Sequence, residues 1–134
     1  MPMQGGGDRA YPITFDITLA GTSTSTGIFR TFLNPFGAEC LVLRADLDIT
    51  TQSTGASTLD IGTAADAVTT SDNLIDGLSA AAAGRFTNMN STNAGTNGKQ
   101  LQKLAAGGSI VIEEKTGDVD GLVGTLYVTL LVTN

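Results

Sequence analysis

The closing stretch, Gly121-Leu-Val-Gly-Thr-Leu-Tyr-Val-Thr-Leu-Leu-Val-Thr133, constrains the fold more than any other part of the chain. It is the most apolar run and is rich in β-branched residues. At a period of two, Leu126, Val128, Leu130 and Val132 share one face, and Tyr127, Thr129, Leu131 and Thr133 share the other. A strand with one wet side carries polar residues there, yet this second face is half apolar. The stretch therefore reads as an interior strand whose second face is partly covered. Being last, it pairs only with strands made before it, and the fold closes when it docks.

The same alternation recurs upstream. Tyr11 to Leu19 places Ile13, Phe15, Ile17 and Leu19 inward, with Pro12 suited to a strand start. Ile28 to Leu33 is a second strand, ended by Asn34-Pro35. Ala38 to Thr50 is the longest, with Leu41, Leu43, Ala45, Leu47 and Ile49 on one face and Arg44, Asp46 and Asp48 on the other. Thr58 to Gly62 is short and is positioned to form a hairpin with it. Residues 63–84 read as loop, with Ser71 capping one helical turn that Gly77 ends. Residues 85–98 are rich in Asn and Gly, which suit turns, and a loop of that length in a small domain is usually functional or mobile. Lys99 to Leu104 is a further strand, with Leu101 outward. Ser109 to Lys115 places Ile110 and Ile112 inward. The sum is an all-β domain of seven or eight strands, a single-domain β-sandwich or jelly roll with long loops and little helix.

The chain has 134 residues, enough for one core and not for two. Residues 1–10 read as a flexible N-terminal arm and residues 11–134 as the sandwich domain. Gly5, Gly6 and Gly7 cannot pack, so the arm is either a free tail or a strap that orders on a neighbour. In the strap reading, Gly5, Gly6, Gly7, Arg9 and Tyr11 are candidate partner contacts. Tyr127 and Leu131 join them as apolar residues on a face that should be wet, unless the Ala-rich loop covers them.

Charged residues are 15% of the chain, against about 25% in typical domains. Thr, Ser, Gly, Ala and Asn supply the polarity instead, which suits close contact with other protein. The net charge is −6 and the seven Lys and Arg are scattered, which argues against nucleic acid as a ligand. The first residues lack a basic region and an apolar core, so no signal peptide is expected, and the terminal run is too Thr-rich and short to span a bilayer. The chain has no His, which leaves no Ser-His-Asp or Cys-His nucleophile and no His-bearing zinc site. The lone Cys40 sits in a strand and reads as a buried small hydrophobe. Asp46, Asp48, Asp60, Asp66, Asp72 and Asp76 are spread along the chain. A saccharide-cleaving cleft normally has aromatic platforms, and this chain has no Trp and two Tyr. Asp118 and Asp120, flanking Val119 between glycines, are the better place for a hard cation, though a solvated turn explains them more simply. No enzyme activity and no cofactor are expected.

Three segments carry a family resemblance: Leu59-Asp-Ile-Gly-Thr63, Ser71-Asp-Asn-Leu-Ile-Asp-Gly77 and Gly124-Thr-Leu-Tyr-Val-Thr129. In these, and in their order and spacing, the chain resembles tailed-bacteriophage virion proteins, in particular the small β-sandwich capsid decoration (cement) proteins. The resemblance implies a structural protein made in the host cytoplasm and placed on the virion surface. It implies the major capsid protein and further copies of itself, as a trimer, for partners, and no catalytic residue. The alternative, a receptor- or glycan-binding module of a head fibre or tail tip, would use residues 88–98 as its binding surface. The 88–98 loop has no counterpart in the resemblance.

Overall fold

In the computed structural model, residues 11–22 and 26–133 are described; the arm, with Gly5, Gly6, Gly7 and Arg9, lies outside them. In chain order the elements are β1 (Ile13–Ala20), β2 (Gly27–Leu33), β3 (Cys40–Thr51), β4 (Ser57–Ala64), β5 (Ile75–Ser79), β6 (Gly84–Thr87), the one-turn helix α1 (Ser91–Ala94), β7 (Gln102–Leu104), β8 (Ser109–Gly117) and β9 (Val123–Val132). They form two antiparallel sheets. One has the order β1-β9-β3-β6, with β7 also paired to β3; the other has the order β2-β8-β4-β5.

The pairs are nested: β1 lies on β9, β2 on β8, β3 on β6 and β4 on β5. The chain is thus a long antiparallel ribbon that doubles back between β4 and β5. Rolling this ribbon adds β9 to β3 and β8 to β4, which closes each sheet. Eight strands rolled in this way, with β7 as a short addition, make a jelly roll. Leu126, Val128 and Leu130 of β9 are fully buried in one cluster with Ile17, Leu19, Leu47 and Ile49 of their own sheet and Leu59, Ile61, Ile110 and Ile112 of the facing sheet. β9 is interior, between β1 and β3, as its two faces imply.

The expected inward face of β3 is wrong in its first half. Cys40 and Val42 are buried, whereas Leu41 and Leu43 are half-buried on the outer face. The cause is a β-bulge: Val42 faces Leu130 and Arg44 faces Thr129, so Leu43 is an extra residue. One inserted residue switches the faces, because side chains alternate with a period of two. β3 and β4 do not form a hairpin either; they lie in different sheets. Ile13, expected inward, is 42% exposed.

Residues 63–84 contain no helical turn. They carry β5 and lead into β6. Leu59 faces Leu78 and Ile61 faces Ile75, so β5 has more residues than β4 across this interval. Gly77, at φ +74°, takes up the excess in a bulge. Its left-handed backbone was legible as a terminator, but it interrupts a strand rather than ending a helix. The segment before β5 lies over the outside of β4. A Cβ on Gly62 would sit 2.7 Å from the Ser71 carbonyl carbon, and Leu74 donates its N–H to the Ile61 carbonyl at 3.0 Å. β4 is therefore buried on both faces.

At the far end of β8, Glu114 is fully buried. Its Oε1 accepts the Val119 N–H at 3.0 Å, while Oε2 has no hydrogen-bond partner. This carboxyl clamps the turn before β9. Among the described residues, no helix is long and apolar enough to cross a membrane.

Candidate functional site

Two surface constellations bear on function. The first lies outside β4, β5 and β8. Lys115 Nζ is 2.9 Å from Asp76 Oδ1 and 3.4 Å from Asp60 Oδ2. Oxygen atoms of Asp60, Asp72 and Asp76 lie within 4.8 Å of one another. Asp60 also accepts the N–H of the bulge residue Gly77 at 2.7 Å. Burial pushes the Asp60 carboxyl up, against the Gly77 N–H and the Lys115 charge. The Lys115 hydrogen bond holds Asp76 below the ordinary aspartate range, and the same bond, with the Asp60 charge, raises Lys115. Burial, then the Asp60 charge, raises Glu113. Lysine thus supplies the positive charge these carboxylates need. The cluster also holds the Asn-rich loop: Asn97 donates its backbone N–H to Asp76 at 3.1 Å and its Nδ2 to Asp72 at 2.9 Å. Its chemistry is that of a structural clamp.

Asp72 and Asp76 are close in sequence, and the pairing of β5 with β4 brings them to Asp60. Asp118 and Asp120, the residues weighed for a cation, belong to no such group: Asp118 Oδ1 accepts the Asp120 N–H at 2.8 Å and closes its own turn. Cys40 is fully buried, and burial raises its thiol.

The second constellation is the outer face of the β1-β9-β3-β6 sheet. Register sets Asp16, Tyr127, Asp46 and Thr87 in one row across the four strands. The next row holds Thr18, Thr125, Asp48 and Arg85, and on the other side Thr14, Thr129 and Arg44 align. Arg44 grips Asp46 with two bonds, of 2.7 and 3.0 Å. Arg85 is 3.8 Å from Asp48 and its side chain is 89% exposed. Around Tyr127, itself 40% exposed, the surface sinks into a groove of about 470 Å³.

Tyr127 and Leu131, grouped by sequence as one candidate contact, occupy different surroundings. They share a face but stand about 13 Å apart at ~3.3 Å per residue. Tyr127 shares its groove with Arg44, Asp46, Asp48, Arg85 and Thr87, and with the apolar Leu47 and Phe86. Leu131 is half-buried opposite Leu41, and the bulged Leu43 turns outward beside them. That sheet end is rich in leucine, with Lys103 of β7 opposite Leu41 at its edge. The bulge was the missing signal, because the simple alternation hid Leu41 and Leu43 in the core. The 65–70 loop does not cover Tyr127; Ala67 and Val68 lie beside β2 of the other sheet. Tyr11 is 63% exposed at the entry to β1.

The 88–98 loop is built into the domain. The Asn88 side chain is buried, accepts the Ala45 N–H at 2.9 Å and donates to the Lys99 carbonyl at 3.1 Å. Asn90 caps α1 through the Thr92 N–H, and Ala94 is buried.

Together these features define a jelly-roll module whose charged side chains mostly serve as clamps and whose first sheet presents a groove of mixed polar and apolar lining and a leucine-rich end. Among solved structures, the chain is similar in fold to a chain from the capsid of Ralstonia phage GP4, with TM-score 0.66 and 18% identity, over 95% of this chain and 86% of that one. It is also similar to a chain from the acidic stable capsid of Helicobacter pylori bacteriophage KHP30, with TM-score 0.48 and 12% identity, over 94% of this chain and 95% of that one. No family model and no curated protein matches the sequence.

Proposed function

We propose that this chain is a structural protein of a phage virion, and within that class a decoration protein that binds the outer surface of the major capsid protein lattice. The observation that carries the reading is the whole-chain likeness to a capsid chain of Ralstonia phage GP4, which spans 86% of that chain. A match of that extent relates two small whole chains rather than one part of a large subunit. The low charge supports the same reading, because little has to be desolvated on contact.

In this reading the protein self-associates as a trimer through the leucine-rich end of the first sheet, with Leu131, Leu41 and Leu43 at the contact. The arm, with Gly5, Gly6, Gly7 and Arg9, and Tyr11 at its root, straps onto the neighbouring capsid subunit. It acts by cross-linking neighbours and has no catalytic role.

The test mixes purified protein with expanded, undecorated capsids and pellets them. Co-sedimentation to saturation supports the reading; protein left in the supernatant at saturating concentration overturns it. Deleting residues 1–10 weakens attachment if the arm is a strap, and unchanged binding removes that part alone.

A further inference from the structure

We propose that the groove around Tyr127 is a binding site for a neutral saccharide. The claim is independent of capsid attachment. Its size is the first ground: about 470 Å³ falls within the range of small-ligand sites. The second is the balance of charge. Arg44 and Arg85 face Asp46 and Asp48, so the charged residues that line the groove balance one another. A ligand matched to it carries both donors and acceptors and no charge.

The third ground is aromatic surface: Tyr127 and Phe86 both line the groove. Tyr127 stands at the middle of the sheet, exposed, with carboxylates on either side in its row, Asp16 on β1 and Asp46 on β3. A ring that stands in solvent adds little to the protein core but gives a platform for the apolar face of a sugar ring. Around it, Asp48 and Thr87 offer hydroxyl-binding oxygens. Arg85, held only at 3.8 Å from Asp48, has donors to spare. Arg44 already spends two bonds on Asp46, which fixes that carboxylate in place.

The test applies the full-length protein to a printed array of neutral bacterial polysaccharides, with acidic polysaccharides beside them. Retention on neutral glycans is expected, falling by about tenfold or more in Tyr127→Ala and surviving in Tyr127→Phe, which keeps the ring. Val68→Asn, exposed beside β2 of the other sheet, leaves it unchanged. The Phe variant also guards against misfolding as the cause of a loss. No retention on any neutral glycan overturns the proposal, as does preference for the acidic set or binding indifferent to Tyr127→Ala. Loss of capsid co-sedimentation in Tyr127→Ala, with no glycan retained, assigns the groove to a protein contact and likewise overturns it.

Discussion

At the scale of single residues, the buried charges decide the most. Lys115 faces Asp60 and Asp76, whose carboxyls it affects in different settings. Asp76, held low, contributes stability above the ordinary aspartate value and loses it as pH falls through its own lower value. Asp60, pushed up by burial, does the reverse: its ionisation costs stability once pH rises past the unfolded value. Lys115→Met strips the cation from both. The loss of stability is expected to be full at neutral pH and to shrink near about pH 3, as the carboxyls protonate. Urea midpoints at the two pH values check this, and an equal loss at both would refute it. Glu114 poses a different problem, with one oxygen holding the Val119 N–H and the other unpartnered. Glu114→Ala is expected to cost about 2–4 kcal/mol, from the cavity and the orphaned N–H. Glu114→Gln keeps the acceptor and is expected to stay within about 1 kcal/mol of the parent. Equal destabilisation by both substitutions would count against the clamp.

At the scale of elements, the bulge in β3 is the feature that separates its buried face from its outward leucines. Without Leu43 the order Cys40, Leu41, Val42, Arg44, Ala45 alternates without a break, in and out, in agreement with the burial of β3. Deleting Leu43 is therefore expected to leave a folded protein with a regular ladder. Deleting Asp46, where the ladder is already regular, turns either the preceding or the following half of β3 inside out and is expected to prevent folding. Circular dichroism and thermal melts of the two deletions distinguish them; equal tolerance would rule out the bulge as the place where the extra residue is absorbed. β9 has a comparable constraint at Gly124. A Cβ there would lie 2.5 Å from the Asp48 carbonyl oxygen, backbone that cannot swing aside, so Gly124→Ala is expected to cost about 1–3 kcal/mol.

At the scale of the whole molecule, the rolled ribbon makes nearly every stabilising pair a distant one. Ile13 faces Leu130 and Ile28 faces Glu113. Such a topology folds slowly, in about milliseconds to seconds, because loop closure precedes any reward. Removal of residues 123–134 takes out the strand that joins β1 to β3, and the remainder is expected to stay unfolded by circular dichroism. Assembly is tested on the same scale. Leu131→Asp is expected to yield a folded monomer by light scattering, whereas an intact trimer would remove Leu131 from the subunit contact.

The sequence by itself determined that the domain is all-β, that β9 is interior and where most strands run, because alternation of apolar residues is a local property of each strand. It also marked Cys40 as buried and Tyr127 and Leu131 as out of place on a wet face. Tertiary structure alone decided which strands pair, since β3 and β4 are adjacent in sequence yet lie in opposite sheets. It decided that Gly77 makes a bulge, because the excess is measured against β4, a different segment. It decided too that Leu41 and Leu43 face outward, since an extra residue is visible only against the partner strand. The Asp60–Asp72–Asp76–Lys115 clamp and the Tyr127 groove have the same origin: in both, strand register joins short segments that are distant in the chain.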